Sequence, residues 1–422
     1  MKKIITLLLL IGGFACAASA AKLYVNTSNV KADNNSWWTN VRIYAYNSDS
    51  DNNGWYYSET GVVASTTTLF GKDWYVFDMG NYANAIVQYF ETNDHSISHQ
   101  STDIIGIAND RFVILNNEQQ DGKYTWYENG YTFRCNVLGN WNEITCNMTV
   151  VDEHTLSYTL TKSEITGSGV NKIWFRILNQ EGQIYPNADG FTLSFGSSTS
   201  DYYNNWTTTG WSFGIEIPSY DYEKIVVTAS LSGSTWTISA DAYVSVTTNA
   251  KGYSTFNVAA PLTISDGATA YYATDKGNGS ATAHAMTNPA ANVPMLIKGD
   301  PSTTYSFAVA ASGTTHSDNA FKAGTGSALA STTDGKYNYI LNGDAFYAAN
   351  DKTVALGKAY LQLSTAASAR ALVFADDEAT GIEAVDNMPF ANDHSVYNLN
   401  GQRVNTPQEG LYIVNGRKVV LK

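Results

Sequence analysis

Along most of this chain apolar residues recur at every second position in short runs, and clusters of Asn, Asp, Ser and Gly punctuate the runs. That is the period of half-buried β-strands, and a long 3.6-residue helical period is missing. In the first part the pattern predicts strands over residues 22–26, 41–47, 73–79 and 85–90, the spacing of a small β-sandwich. A second set is predicted over residues 131–138, 155–160, 172–178, 191–195, 224–230 and 235–239. At Tyr243 the texture shifts to Ala, Thr and Gly, with alternation over 268–273, 304–310, 337–341, 358–363 and 369–374, which predicts a third sandwich of another kind. Residues 376–380 read as an acidic linker, and the piece after them has strand candidates around Gly401 and Gly416. The expected fold is all-β: tandem sandwiches over 21–129, 130–241 and 242–375, then a linker and small C-terminal β unit over 376–422.

The start of the chain reads as an export signal over residues 1–20: Lys2 and Lys3 precede the apolar run 4–11, and Ala18-Ser19-Ala20 supplies small residues for cleavage. A lipoprotein, lipidated at Cys16, is the alternative, although Gly13-Phe14-Ala15 matches the usual approach poorly. No later stretch is apolar enough to span a bilayer. The mature protein is therefore expected to be secreted or held at the outer-membrane cell surface. Without Lys2 and Lys3 the 25 basic residues become 23 against 38 acidic ones, a net charge of −15. That sign argues against nucleic acid and anionic lipid as partners. Beyond the signal only Cys135 and Cys146 remain. In an oxidising compartment they are expected to be bridged, the alternative being two buried thiols on neighbouring strands.

All ten tryptophans fall between Trp37 and Trp236, while residues 237–422 still hold eleven of the 28 tyrosines. Large flat rings suit ligands with apolar faces, and sugars offer C–H faces between hydroxyls that amides can bond. Over 41–46 the strand period sets Val41, Ile43 and Ala45 on one face and Arg42, Tyr44 and Tyr46 on the other. The aliphatic face suits the core, so Tyr44 and Tyr46 are expected to face solvent, with Trp55 beside them across a polar loop and Gln100 as a flanking amide. Trp141, Trp206 and Trp211 sit in loops and form a second candidate set. Trp74, Trp174 and Trp236 lie inside alternating strands and are expected in the core. Asp49, Asp51, Asn53 and Gly54 resemble the opening of a calcium loop, but the twelfth position is Thr60, so a solvated turn is expected. No metal or cofactor is implied. The six histidines show no metal-ligand spacing beyond His95 and His99, which have no Glu between them, and carboxylates are scattered without a glycosidase-like frame.

Several segments carry family resemblances. Val41 to Tyr46, Asn53-Gly54-Trp55, Asp73 to Phe77 and Ala85 to Phe90 are similar to small starch-binding modules of the family 26 type, although that family usually has Trp-Pro-Gly where this chain has Trp55-Tyr56-Tyr57. Val137 to Asn142 ahead of the strand at 155–160 resembles the starch-binding sandwiches of surface proteins in bacterial starch-utilisation systems. Gly252 to Thr255, Ala270 to Tyr272, Val293 to Gly299 and Lys358 to Leu361 resemble a module that recurs before C-terminal sorting tails in Bacteroidetes secreted proteins. Gly381 to Glu383, Val396 to Val404 and Gly410 to Val420 resemble the sorting domains of type IX secretion cargo. These resemblances imply a non-catalytic surface protein that binds a polysaccharide, with starch-like α-glucan expected, and whose tail the secretion machinery reads. The rival is a structural or adhesive surface protein with a protein partner and no carbohydrate site.

Overall fold

The computed structural model describes residues 21–31, 37–38, 40–48, 64–90, 99–139, 148–186, 191–204, 212–265 and 267–367, the backbone at 55–56, and short pieces between 383 and 421. Among these residues the chain is β-structure nearly throughout, with one helix, Lys162–Ser168. It divides into two compact units, residues 1–217 with 225–240 and residues 218–224 with 241–422.

The first unit opens with β1 (Lys22–Asn26), β2 (Val41–Tyr46), β3 (Trp55–Tyr56), β4 (Ser65–Leu69), β5 (Lys72–Asp78), β6 (Asn84–Tyr89), β7 (His99–Gln100), β8 (Arg111–Gln120) and β9 (Lys123–Glu128). They form a five-stranded sheet, β4-β5-β1-β8-β9, and a four-stranded sheet, β3-β2-β6-β7. Leu23, Val25, Phe77, Val113 and Leu115 of the one meet Val41, Ile43, Ala45, Ala85 and Val87 of the other in a shared core. Trp38 lies between the sheets, stacked on Tyr89 at 5.3 Å between ring centroids and edge-on to Tyr124 at 5.2 Å.

The pattern of alternation did not reveal β8 or β9. β8 is central, with Val113 and Leu115 in the shared core and Phe112 and Ile114 in a second cluster with Tyr24, Leu69 and Trp74. A strand buried on both faces reads as a continuous apolar run, so period two is lost. β4 was hidden for the opposite reason: Ser65-Thr66-Thr67-Thr68 is an edge strand with little apolar to bury. The second cluster also explains Trp74, which is buried and donates its indole N–H to the Leu69 carbonyl at 3.2 Å.

The chain continues with β10 (Thr132–Cys135), β11 (Thr149–Asp152), β12 (Thr155–Thr161), α1 (Lys162–Ser168), β13 (Lys172–Leu178), β14 (Gln183–Tyr185), β15 (Thr192–Leu193), β16 (Ser197–Asn204), β17 (Phe213–Glu216), β18 (Lys224–Ser232) and β19 (Thr235–Thr247), of which Lys224 and residues 241–247 fall in the second unit. β16 changes partners along its length, pairing with β19 over 197–201 and with β14 over 202–204. Phe133, Phe175 and Phe213 stack in a row at 5.0 and 5.2 Å through the interior. α1 starts on a capping box, Thr161 accepting from the Glu164 N–H while Glu164 reaches back to the Thr161 N–H, and ends at Gly169 with φ 66°. That Thr-x-x-Glu signal is plain in the sequence. Cys135 is buried at the end of β10, while Cys146 lies outside the described residues.

In the second unit a four-stranded sheet runs Tyr253–Phe256, Met295–Lys298, Thr269–Asp275, Ala281–Met286. A five-stranded sheet includes Phe321–Ala323, Ala359–Leu363 and Lys336–Asn342. Ala273 and Leu296 of the first pack against Phe321, Tyr339, Phe346 and Leu361 of the second, the layering of a sandwich. Gly410–Val414 and Arg417–Leu421 pair antiparallel in the tail, and Glu383–Val385 runs parallel to the latter. The strand expected at 369–374 and the acidic linker lie outside the described residues. No helix among the described residues is long and apolar enough to cross a membrane.

Candidate functional site

The four-stranded sheet of the first sandwich turns Val41, Ile43 and Ala45 to the core and presents Arg42, Tyr44 and Tyr46 on its other face. Alternation alone accounts for this division. The two tyrosine rings stack on one another at 5.7 Å and 19°. Tyr44 is half-buried, whereas Tyr46 retains only 7% of its surface, so the expectation that both face solvent is corrected for Tyr46.

Register extends this face across the sheet, since residues opposite one another in an antiparallel ladder share a side. Arg42 pairs with Gln88, and Gln88 with Gln100, making a polar row across β2, β6 and β7. Tyr44 and Ile86 form the next row, and Tyr46 with Asn84 the one after. On β3 the ladder sets Tyr56 opposite Tyr44 and Trp55 opposite Ala45. Tyr56 is thus the residue of β3 in the row of Tyr44. Gln100, half-buried, ends the polar row.

The polar row is incompletely satisfied. The Arg42 guanidinium lies 4.6 Å over the Phe90 ring and its Nε–H donates to the Asn40 Oδ1 at 3.3 Å, yet its buried Nη1 has no hydrogen-bond partner among the described residues. Gln88 is 3% exposed and its Oε1 also lacks one. A buried polar atom without a partner costs about 1–3 kcal/mol, so this donor and this acceptor, on opposed residues, are the unsatisfied atoms of the row. Ser101 secures the neighbouring backbone, accepting from the Val87 N–H and donating to the Thr102 carbonyl at 3.0 and 2.8 Å. Arg42 and Gln88 were not singled out as site residues from the sequence. The available signal was the phase of Gln88 against Ala85, Val87 and Tyr89, which puts an amide among the outward positions of an apolar strand.

The other proposed binders, Trp141, Trp206 and Trp211, and the Asp49 to Gly54 turn lie outside the described residues. Trp236 is buried and packs edge-on against Tyr131 at 5.2 Å. Trp174, expected in the core, is half-buried on the face of β13 opposite Ile173, Phe175 and Ile177. Its ring lies beside Gly214, its partner in the ladder, where a Cβ would stand 3.0 Å away, and the Lys172 ammonium sits 4.6 Å over it. Glycine leaves the room that lets the indole lie across the strand. His99 joins the aromatic nest of Trp38, and no group of three or more His, Cys, Asp or Glu able to hold a metal occurs among the described residues. The chain matches no family model, no curated protein and no solved structure.

Proposed function

We propose that this is an exported, non-catalytic glycan-binding protein that holds a starch-like α-glucan against the face formed by β2, β6 and β7. The observation that carries the reading is the stacked Tyr44–Tyr46 pair beside the Arg42–Gln88–Gln100 row, with one buried donor and one buried acceptor lacking partners. Adjacent hydroxyls on a sugar ring supply an acceptor and a donor together, while the ring's C–H face suits the aromatic pair. Each such hydrogen bond contributes about 0.5–1.5 kcal/mol, so one site is weak and avidity comes from many copies on a surface or several sites per chain. The choice of α-glucan rests on the resemblance of the first sandwich to family 26 type starch-binding modules. In the same reading the second sandwich adds loop tryptophans, the third presents the binding half, and the tail addresses the chain to the secretion machinery.

Affinity electrophoresis in gels with and without amylopectin tests the proposal. Retardation that grows with polysaccharide concentration is expected, and Tyr44→Ala is expected to remove most of it. Unretarded migration at every concentration overturns the reading. The rival, a structural or adhesive protein, is favoured by one observation: Trp38, Trp74, Trp236 and Tyr46 are all buried, as packing aromatics would be.

A further inference from the structure

At one end of the five-stranded sheet, where β1, β4 and β5 come together, lies a groove of about 860 Å³. Trp37 lines it and is 52% exposed, while its neighbour Trp38 is 2% exposed in the core. An antiparallel bridge from Lys31 to Trp37 fixes the backbone there, and the Lys31 ammonium stands 4.4 Å over the indole. One aromatic face is thereby occupied and the ring is held in place before any ligand arrives.

Opposite the indole the groove is polar and already ordered. Thr66 faces Tyr75 and Thr68 faces Asp73 across the edge ladder, and the Thr68 hydroxyl donates to the Asp73 Oδ1 at 2.6 Å. The Asn26 amide donates to the Asp73 carbonyl at 2.8 Å, and its own oxygen accepts from the Ser28 N–H and hydroxyl at 3.0 and 2.6 Å. Lys72 also lines the groove, but its ammonium is paired with Glu181 at 2.9 Å. An anionic ligand therefore meets an exposed carboxylate, Asp73, and a cation already engaged. An apolar peptide finds one exposed ring amid hydroxyls. A neutral polyhydroxylated ring fits both, stacking on the indole and exchanging hydrogen bonds with threonine, asparagine and carboxylate.

We infer that the Trp37 groove is a second saccharide-binding site, taking a neutral glycan on the opposite sheet of the sandwich from the tyrosine face. It goes beyond the function proposed above, because its residues and sheet are different and it can operate with any neutral glycan.

The test is isothermal titration of the full chain with maltoheptaose, cellohexaose, xylohexaose and mannohexaose, with intrinsic tryptophan fluorescence in parallel. Trp37→Ala is expected to weaken binding of at least one of these sugars about tenfold, or to remove one of two equivalents, while Tyr44→Ala leaves that component in place. Asp73→Asn, which keeps the hydrogen bond from Thr68, serves as a second variant, with near-native circular dichroism as the folding control, and is expected to weaken the same component. Binding lost to Tyr44→Ala but indifferent to both Trp37→Ala and Asp73→Asn overturns the groove and leaves the tyrosine face standing. Binding lost to Trp37→Ala alone supports the groove and overturns the tyrosine face. A wild-type chain that binds none of the four sugars overturns both.

Discussion

Replacing Gln88 by Met separates a binding role from a packing role, because the two make opposite forecasts for stability. Gln88 is 3% exposed, and its Oε1 has no hydrogen-bond partner among the described residues. An orphaned buried acceptor costs about 1–3 kcal/mol, whereas an unbranched thioether of similar length carries no such penalty. Some of that gain is offset by whatever the amide N–H groups contribute, so Gln88→Met is expected to stabilise the free protein by about 1 kcal/mol. For a unit of this size that raises Tm by about 2–4 °C. The same change removes the acceptor opposite Arg42 and is expected to weaken amylopectin binding about tenfold, since a bound sugar hydroxyl is then left without its acceptor. Differential scanning calorimetry gives the first quantity, and affinity electrophoresis the second. A stabilised variant with undiminished binding would show that Gln88 is merely a poorly satisfied core residue. A variant destabilised by more than about 1 kcal/mol would show that the amide is part of the fold, and the argument from unpartnered atoms would fail.

Three further substitutions probe other parts of the argument. Tyr44→Ala should cut glucan affinity about tenfold while moving the melting temperature little, because its ring is half-buried and stacks on Tyr46; equal retardation of variant and wild type on amylopectin gels would contradict the site. Trp74→Ala empties a buried indole site and forfeits its bond to Leu69, so urea denaturation should show a loss of about 3–5 kcal/mol. Tyr220 has a buried hydroxyl with no hydrogen-bond partner among the described residues, and burial pushes its phenol up to about 12 from 10.0. With the folded-state value raised, its contribution is fully present below pH 10 and is lost as pH climbs toward 12. Tyr220→Phe should flatten the stability curve over that window and leave neutral-pH stability equal or better, and an unchanged alkaline slope in denaturation midpoints would refute the assignment.

How much was legible follows from where each strand lies. β13 matches the alternation residue for residue, because Ile173, Phe175 and Ile177 are buried on one face while Lys172, Trp174 and Arg176 are half-buried on the other. β8 hides from period two because Phe112, Val113, Ile114 and Leu115 form an unbroken apolar run shared between two clusters. Trp174 lies on the face of β13 opposite Ile173, Phe175 and Ile177, a phase the sequence already carries, and Gly214 in the facing strand leaves the space beside its ring. Tyr44 and Tyr46 were legible from phase. Phase puts Arg42 and Gln88 on the same kind of face, but their opposition across the ladder and their unpartnered atoms need coordinates.

The adjacent pair Trp37-Trp38 condenses the problem that a tryptophan-rich sandwich faces. Neighbouring residues in extended chain point to opposite sides, so a double tryptophan sends one ring inward and one outward. Trp38 goes in, against Tyr89 and Tyr124, and Trp37 goes out, over the groove. Among the described tryptophan side chains Trp38, Trp74 and Trp236 are buried, and Trp126 and Trp174 half-buried. Most of the aromatic mass thus holds the sheets together, and only a few rings are left for a ligand. A protein built this way has low affinity at any one position, since a lone exposed ring and two or three hydrogen bonds set the limit. The two candidate faces, however, belong to the two sheets of one sandwich joined by one core. Their spacing is held by packing, not by a linker, so a polymer long enough to reach both meets the second at a high effective concentration, and a short oligosaccharide does not.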